Sequence, residues 1–434
     1  MNQLLKINQR LLLKSHGHCY INDYLGGGGQ GEVYRVEFNQ HALALKWYFP
    51  ALATTEQYQA LQELILKKAP NDNFLWPLLI AESNQISGFG YLMPLRELRY
   101  HSIVDLMKRR IEPNFRQLIT ATIELANSFL QLHAKGLCYQ DISFGNVFFD
   151  PNTGQILICD NDNVTTNRKA RQKTLLGTPR FMAPEIVLGK VSAPSTESDL
   201  FSLSVLLFYM LMLHHPLEGQ REANIKCFDL PAMTQLYGSE PIFIFDPNNE
   251  TNRPVIGYQD NPLIYWKIYP HFIKQLFIKA FTDGLIDAEY GRVRESEWRA
   301  NLIKLRDSII YCQHCHQENF YDSDYLQMHQ QLAPCWSCEQ ILIAPPRIKI
   351  QHPNHYWIVM LNYDSQLFAH HLEPLRYYDF SMPLAQVTQH PQYPTIWGLK
   401  NLTTHSWNAV TIDHQHKQIA PGQTISLANG LKIQ

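Results

Sequence analysis

The chain has little that would tie it to a membrane or to a polyanion. Its longest apolar run, Ser202–Leu213, is about a dozen residues, whereas a membrane span needs about 20. That run reads as a buried helix. A formal net charge of −2 over 434 residues gives no case for nucleic acid or an anionic bilayer as a partner. Met1–Gly17 scatters Lys6, Arg10 and Lys14 through a segment without a compact apolar core. No export signal is expected there, and a cytoplasmic location is. Internal repeats and low-complexity tracts are also missing.

What remains is ordinary globular material, 45% hydrophobic and 18% charged, enough for a sizeable core. The length suggests two to four domains, at roughly 100–200 residues each. Cys19–Phe38 reads as strand, glycine loop, strand, and Ala42–Tyr48 as a further strand. Thr55–Lys68 carries apolar residues at helical spacing, and Phe89–Leu95 is an apolar strand closed by a proline. From about Ser102 the pattern turns helical. Phe115–Ala134 is a helix that stops at Lys135-Gly136. Short strands are expected at Val147–Phe149 and Ile156–Cys159, joined by the Asp150–Gly154 turn, with further helices through Leu305. After Asp307 come two Cys-x-x-Cys pairs, then short strands separated by turns such as Pro421-Gly422 and Asn429-Gly430.

The segment Gly26-Gly27-Gly28-Gly29-Gln30-Gly31-Glu32-Val33 fits G-x-G-x-x-G-x-V. Absent side chains let the backbone close over phosphates with N–H groups facing the charge. Alone this is weak, because glycine runs also make plain flexible turns. A dinucleotide fold would need a helix starting inside the loop, whereas Glu32–Val36 reads as a strand. Lys46 ends the next apolar strand. Asp141 and Asn146 stand in D-x-x-x-x-N spacing, and Asp160 follows fourteen residues later, after a short apolar strand. Gly177-Thr178-Pro179-Arg180-Phe181-Met182-Ala183-Pro184-Glu185 comes next, and Gly291-Arg292 lies far downstream.

In this order and spacing, residues of about 15–306 resemble the eukaryotic-like protein kinases. The resemblance implies an α+β, two-lobed fold using ATP and Mg2+ to phosphorylate protein hydroxyls. Gly26, Gly27, Gly28, Gly29, Gln30, Gly31, Val33, Ala44 and Met93 would surround ATP. Lys46 would hold its α- and β-phosphates, paired with a helix carboxylate; Glu63 is the candidate and Glu56 the fallback. Asp141 would be the catalytic base, with Asn146 and Asp160 as magnesium ligands. Thr178, Glu185, Arg292 and Asp199 would position the substrate segment and brace the catalytic loop, Glu185 pairing with Arg292.

Three departures from the family matter. Tyr139-Gln140 replaces His-Arg before Asp141, Ser143 replaces a lysine, and Asp160-Asn161-Asp162 replaces Asp-Phe-Gly. Gln140 cannot pair with a phosphorylated activation loop, so activity is expected not to depend on phosphorylation of Thr165, Thr166 or Thr174. The missing lysine slows transfer unless Arg180 or Lys173 stands in. Asp162 either recruits another cation or is a solvated loop residue. With Lys46, Asp141, Asn146 and Asp160 all retained, an active Ser/Thr kinase is favoured. The alternative is a nucleotide-binding pseudokinase scaffold that assembles partners.

Cys312, Cys315, Cys335 and Cys338 form two pairs with nineteen residues between them. Four thiolates at this spacing suit a closed, structural Zn2+ site. A redox dithiol or unmetallated buried cysteines are the other possibilities, and His314 and His316 read as exposed neighbours. A zinc ribbon can bind nucleic acid, but this region has no Lys/Arg cluster. Trp397–Leu402 and Pro421–Ile433 resemble the last strands of forkhead-associated β-sandwiches, although the Gly-Arg and Ser-x-x-His of those domains have no counterpart here. The expected organisation is an N-lobe at 1–95, a C-lobe at 96–308, a zinc ribbon at 309–344 and a small all-β domain at 345–434. This arrangement resembles bacterial kinases of the tellurium-resistance-associated type. That resemblance implies stress-response signalling, with a von Willebrand A-type protein and a metal-dependent Ser/Thr phosphatase as partners.

Overall fold

The computed structural model describes residues 3–14, 16–167, 179–191, 193, 195–352, 356–373, 375–390, 392–393 and 395–434. It divides into two compact units, Met1–Trp266 with Gln275–Arg299, and Lys267–Lys274 with Ala300–Gln434.

The first unit begins with six strands and a helix: β1 (Arg10–Leu13), β2 (Gly17–Gly27), β3 (Gly31–Phe38), β4 (His41–Tyr48), α1 (Thr55–Lys67), β5 (Leu79–Glu82) and β6 (Phe89–Pro94). The strands close into a barrel in the order β1-β2-β3-β4-β6-β5, antiparallel throughout. β1 completes it by pairing with both β2 and β5. Alternation explains the closure: Leu11 and Leu13 are buried beside Cys19, Ile21, Tyr34, Val36, Leu45 and Trp47, while their neighbours face outward. β1 is short and lies in a segment that sequence periodicity left unassigned.

Helix α1 starts where the Thr54 hydroxyl accepts the Gln57 N–H, and buries Leu61 and Leu64. Beyond β6 come β7 (His101–Ser102), α2 (Ile103–Met107), α3 (Phe115–Ala134), β8 (Leu137–Cys138), β9 (Val147–Phe149), β10 (Ile156–Ile158), β11 (Thr165–Thr166), α4 (Pro184–Val187) and α5 (Thr196–Met212). α3 is capped by Asn114 and α5 by a Ser195–Ser198 capping box. Nearly all of α5 is buried, as its unbroken apolar run requires. The Asp150–Gly154 turn joins β9 to β10, with the Gly154 N–H bonded to the Asp150 carbonyl at 2.8 Å.

In the second unit, strands Ile309–Tyr311 and Glu318–Phe320 make a hairpin, followed by a short helix, Ser323–His329. Further on, Gln366–Phe368, Pro383–Gln389, Trp397–Asn401 and Thr424–Ser426 form one antiparallel sheet. His416–Ile419, Trp407–Val410 and Lys432–Ile433 form another. Val387, Leu399 and Ile425 from the first sheet share a core with Ala409 and Ile419 from the second. Among the described residues, no helix is long and apolar enough to cross a membrane.

Candidate active site and cysteine cluster

The glycine loop is the hairpin between β2 and β3, closed by the Gly28 N–H on the Gly31 carbonyl at 2.9 Å. Gly31 is obligatory, since a Cβ there would lie 2.1 Å from the Trp47 carbonyl oxygen. Gly26 has φ +152°, a backbone conformation that suits glycine. Behind the loop, Ala44 on β4 is the direct register partner of Met93 on β6, and both are buried with Tyr48 and Tyr91. Val33 packs against the same cluster.

Lys46, also on β4, is buried. Its Nζ donates to both carboxylate oxygens of Asp162 at 3.0 Å, to Gln30 Oε1 at 2.8 Å and to Asp160 Oδ1 at 3.4 Å. Burial opposes its charge, but Asp162 and Asp160 outweigh that and raise its pKa. Glu63, the expected partner, is exposed on α1, and no ion pair joins it to Lys46; Glu56 is not brought to Lys46 either. The reason is position on the helix. The face of α1 turned to the barrel presents Leu61 and Leu64, and Glu63 lies beside them on the outer side.

Asp162 is fully buried, so it is not a solvated loop residue. Besides Lys46 it accepts the Tyr48 hydroxyl at 2.5 Å and the Tyr91 hydroxyl at 3.0 Å. Burial alone would raise its pKa, yet Lys46 and the two hydroxyls hold it below the ordinary carboxylate value. Gln57, in the first turn of α1, reaches this network through Tyr48, its amide donating to the tyrosine hydroxyl at 3.0 Å. Asn161 is buried as well and donates to the Ile158 carbonyl at 2.9 Å. Asp160, in the left-handed conformation, opens a short helical turn, Asn161–Asn163. Asn163 Oδ1 accepts from the Gln30 amide at 3.2 Å.

The loop after β8 carries Asp141 and Asn146. The Asn146 amide donates to the Asp141 carbonyl at 2.7 Å and to its carboxylate at 3.4 Å. The Asn146 carbonyl accepts the Cys159 N–H at 2.8 Å, coupling this loop to the strand that leads to Asp160. Burial raises the Asp141 pKa; the Asn146 hydrogen bond lowers it and the nearby Asp160 charge adds to the rise. Asp199, at the start of α5, accepts the Tyr139 N–H at 2.5 Å and the Gln140 N–H at 3.0 Å. Gln140 needs that support because its φ is +74°. The Tyr139 hydroxyl donates to the Cys159 carbonyl and its ring packs edge-on to Phe129. It links the loop that carries Asp141 and Asn146 to the residue before Asp160.

Arg292 is buried and donates to Glu185 Oε2 at 2.8 Å and to the Glu197 carbonyl at 2.6 Å, so the expected pair forms. Arg180 is engaged elsewhere: its Nε lies 2.8 Å from Glu218 Oε1, whose carboxylate also accepts the Tyr237 hydroxyl at 2.5 Å. It is therefore not available to replace the lysine absent at Ser143. Thr178, Lys173 and Thr174 lie outside the described residues.

In the second unit the four cysteines converge. Cys312 and Cys338 sulfurs are 3.6 Å apart, as are those of Cys315 and Cys335, and all four lie within 4.8 Å of one another. Sulfurs about 2.3 Å from a central zinc would be about 3.8 Å apart on a tetrahedron, whereas a disulfide would need about 2 Å. The two turns have the same hydrogen bonding. Cys312 N–H bonds to the Gln317 carbonyl and His316 N–H to the Cys312 carbonyl; Cys335 N–H bonds to Gln340 and Glu339 N–H to Cys335. His316 and Glu339 are both left-handed, with φ 59° and 60°. The Asn319 amide reaches the Cys335 sulfur at 3.4 Å and the His314 N–H reaches the Cys312 sulfur at the same distance. Burial opposes a Cys335 thiolate, but donors from Cys338, Ser337 and Asn319 bring its pKa down to about 6. His314 and His316 are exposed and stand outside the sulfur cluster. The donor set thus fits a zinc ion.

A barrel of antiparallel strands with a helical body, and with Lys46, the Asp141–Asn146 loop and Asp160 brought together, defines the kinase class of folds. The protein kinase domain family matches residues 20–266, and the chain belongs to that family. The chain is 34% identical over 138 residues to the cell cycle serine/threonine-protein kinase CDC5/MSD2 of Saccharomyces cerevisiae, covering 30% of this chain and 19% of the yeast protein. It is 23% identical over 297 residues to a probable CDC5 homolog of Encephalitozoon cuniculi, covering 64% of this chain and 61% of that one. It is 21% identical over 391 residues to the protein kinase YegI of Escherichia coli, covering 81% of this chain and 58% of YegI. The chain therefore spans less than two thirds of each of these relatives.

Proposed function

We propose that this chain is a protein Ser/Thr kinase that transfers the γ-phosphate of ATP to protein hydroxyls. The observation that carries the reading is the bracing by Asp199 of the loop that holds Asp141 and Asn146, with the Asn146 carbonyl bonded to the strand before Asp160. The substrate hydroxyl oxygen forms a bond to the γ-phosphorus as the bond to the ADP oxygen breaks, and the hydroxyl proton passes to Asp141. Lys46 holds the α- and β-phosphates under the Gly26–Gly31 loop, and the adenine sits between Val33, Ala44 and Met93. Asn146 and Asp160 would hold Mg2+, which neutralises phosphate charge when bound. Glu185, Arg292 and Thr178 position the substrate-side segment.

A pseudokinase scaffold is the second reading. It is favoured by Ser143 together with the Arg180–Glu218 pair, which leaves that side of the site without the usual lysine. Radiolabelled ATP with Mg2+ separates the two readings. The wild type is expected to transfer phosphate, and Asp141→Asn and Asp160→Ala to lose transfer by at least about a hundredfold. Nucleotide binding without any transfer would establish the scaffold.

The four cysteines are read as ligands of one structural Zn2+ in a ribbon at about 309–344. The two sheets beyond them are read as a small β-sandwich that recruits partners. A von Willebrand A-type protein and a metal-dependent Ser/Thr phosphatase in a bacterial stress-signalling system are the partners that the tellurium-type resemblance suggests, and a cytoplasmic location goes with that reading.

A further inference from the structure

We propose that Asp162, not a carboxylate of helix α1, is the counter-ion that positions Lys46 for the nucleotide phosphates. The proposal deepens the kinase reading and rests on it. The contacts of Asp162 account for both of its oxygens. Oδ1 accepts from Lys46 and Tyr91, both at 3.0 Å, and Oδ2 accepts from Lys46 at 3.0 Å and Tyr48 at 2.5 Å. With four hydrogen bonds from three donor groups around it and almost no solvent exposure, it has no face left for a second cation. A buried carboxylate persists only when paired and hydrogen-bonded, and its single cationic partner among the described residues is Lys46.

The helix contributes differently. Its link to this network, among the described residues, is the neutral Gln57 amide, which donates to the Tyr48 hydroxyl rather than to Lys46. The lysine is therefore held from β4 and from the turn after β10, elements that also carry Asp160. The ammonium has three donors. Asp162 and Asp160 engage it from one side, and the other contact is the Gln30 side chain of the glycine loop, at 2.8 Å. Gln30 is the group that a phosphate oxygen would displace. Lys46 is thus placed without an ion pair from α1, which touches the network only through Gln57 and Tyr48 among the described residues, and Asp162 acts as a positioning residue through Lys46.

The test is MgATP affinity by calorimetry on the full chain, for wild type, Lys46→Ala, Asp162→Asn and the double variant. Each single change is expected to weaken binding roughly tenfold or more, and the double variant no further than Lys46→Ala alone. If Asp162→Asn unfolds, Tyr48→Phe and Tyr91→Phe leave the carboxylate in place. Each is expected to weaken binding in the wild-type background and to be silent with Lys46→Ala. Multiplying losses, wild-type affinity in Asp162→Asn, or an equal loss with Glu63→Gln would overturn the proposal. Because the readout is binding, a wild type that binds MgATP but transfers no phosphate would refute the catalytic reading alone. A wild type that binds no MgATP would overturn both.

Discussion

His133 Nε2 lies 3.1 Å from Asp199 Oδ2, the oxygen that also accepts the Tyr139 N–H. On its other side, His133 Nδ1 bonds to Glu295. One imidazolium therefore ties Asp199, the brace of the Asp141–Asn146 loop, to the start of a later helix. Burial disfavours its charge, but Asp199 and Glu295 raise its pKa from 6.5 to about 9, and His133 holds the Glu295 pKa below its ordinary value. A raised histidine pKa stabilises the fold fully below 6.5 and ceases to do so as pH rises through 9.

The kinase unit should accordingly lose stability between about pH 6.5 and 9, by an amount on the order of 3 kcal/mol. Thermal unfolding across that range measures it. His133→Asn should be less stable at pH 6.5 and nearly flat up to pH 9. A wild type equally stable at both ends would contradict the pairing.

The Arg292 guanidinium is buried and binds Glu185 and the Glu197 carbonyl. Arg292→Ala removes the charge and leaves both acceptors without it, so a loss of about 3–5 kcal/mol is expected. Arg292→Lys keeps the charge but not the planar fork, and should recover only part of that loss. Denaturant titration of the three proteins gives the order directly.

Cysteine chemistry should depend on metal. Freshly purified protein is expected to carry close to one zinc per chain. Cys335→Ser should lower that content and destabilise the second unit, since structural zinc binding is coupled to folding. A zinc content near zero by elemental analysis would count against the site, as would indifference of thermal unfolding to a strong chelator.

Activity should survive replacement of Thr165, Thr166 and Thr174 together by alanine. Gln140 provides no cation for a phosphothreonine. Thr165 is itself buried, paired through β11 with Cys138 on β8, and a kinase would need that pairing opened to reach it. Transfer to a generic protein substrate, with the triple variant compared against wild type, settles this. Abolished activity would show that the site depends on a phosphorylated loop after all.

Much of this site can be read along the chain because its parts carry spacing. The glycine loop, Lys46, the Asp141–Asn146 interval and Asp160 each need a fixed number of residues to reach the same point. The Glu185–Arg292 pair and the Asp199 brace were legible for the same reason. Other parts carry no such mark. Tyr139 looks like the loss of a histidine, and only its hydroxyl on the Cys159 carbonyl shows what it does instead. Tyr48 and Tyr91 fall in strands and Gln57 in a helix with nothing to mark them, because a polar network is invisible until its members meet. His133 and Glu295 are 162 residues apart, with no pattern linking them. One signal for Asp162 was available, since a second acidic residue two positions after Asp160, in place of glycine, needs a cation nearby if it is buried.

By itself the sequence determined the class of fold, placed most of its strands and helices in order and named the candidate residues for handling phosphate, because strand and helix periodicity and motif spacing are local properties. It also determined that four thiols come in two turns. Which carboxylate holds Lys46 was decided only by the tertiary structure. Motif order pointed to Glu63 and not to Asp162, but the inward face of α1 is taken by Leu61 and Leu64, whereas the turn after β10 carries Asp162 into a buried pocket of tyrosine hydroxyls. Burial makes the choice, since an ionised carboxylate stays in the interior only where a cation and donors already wait for it.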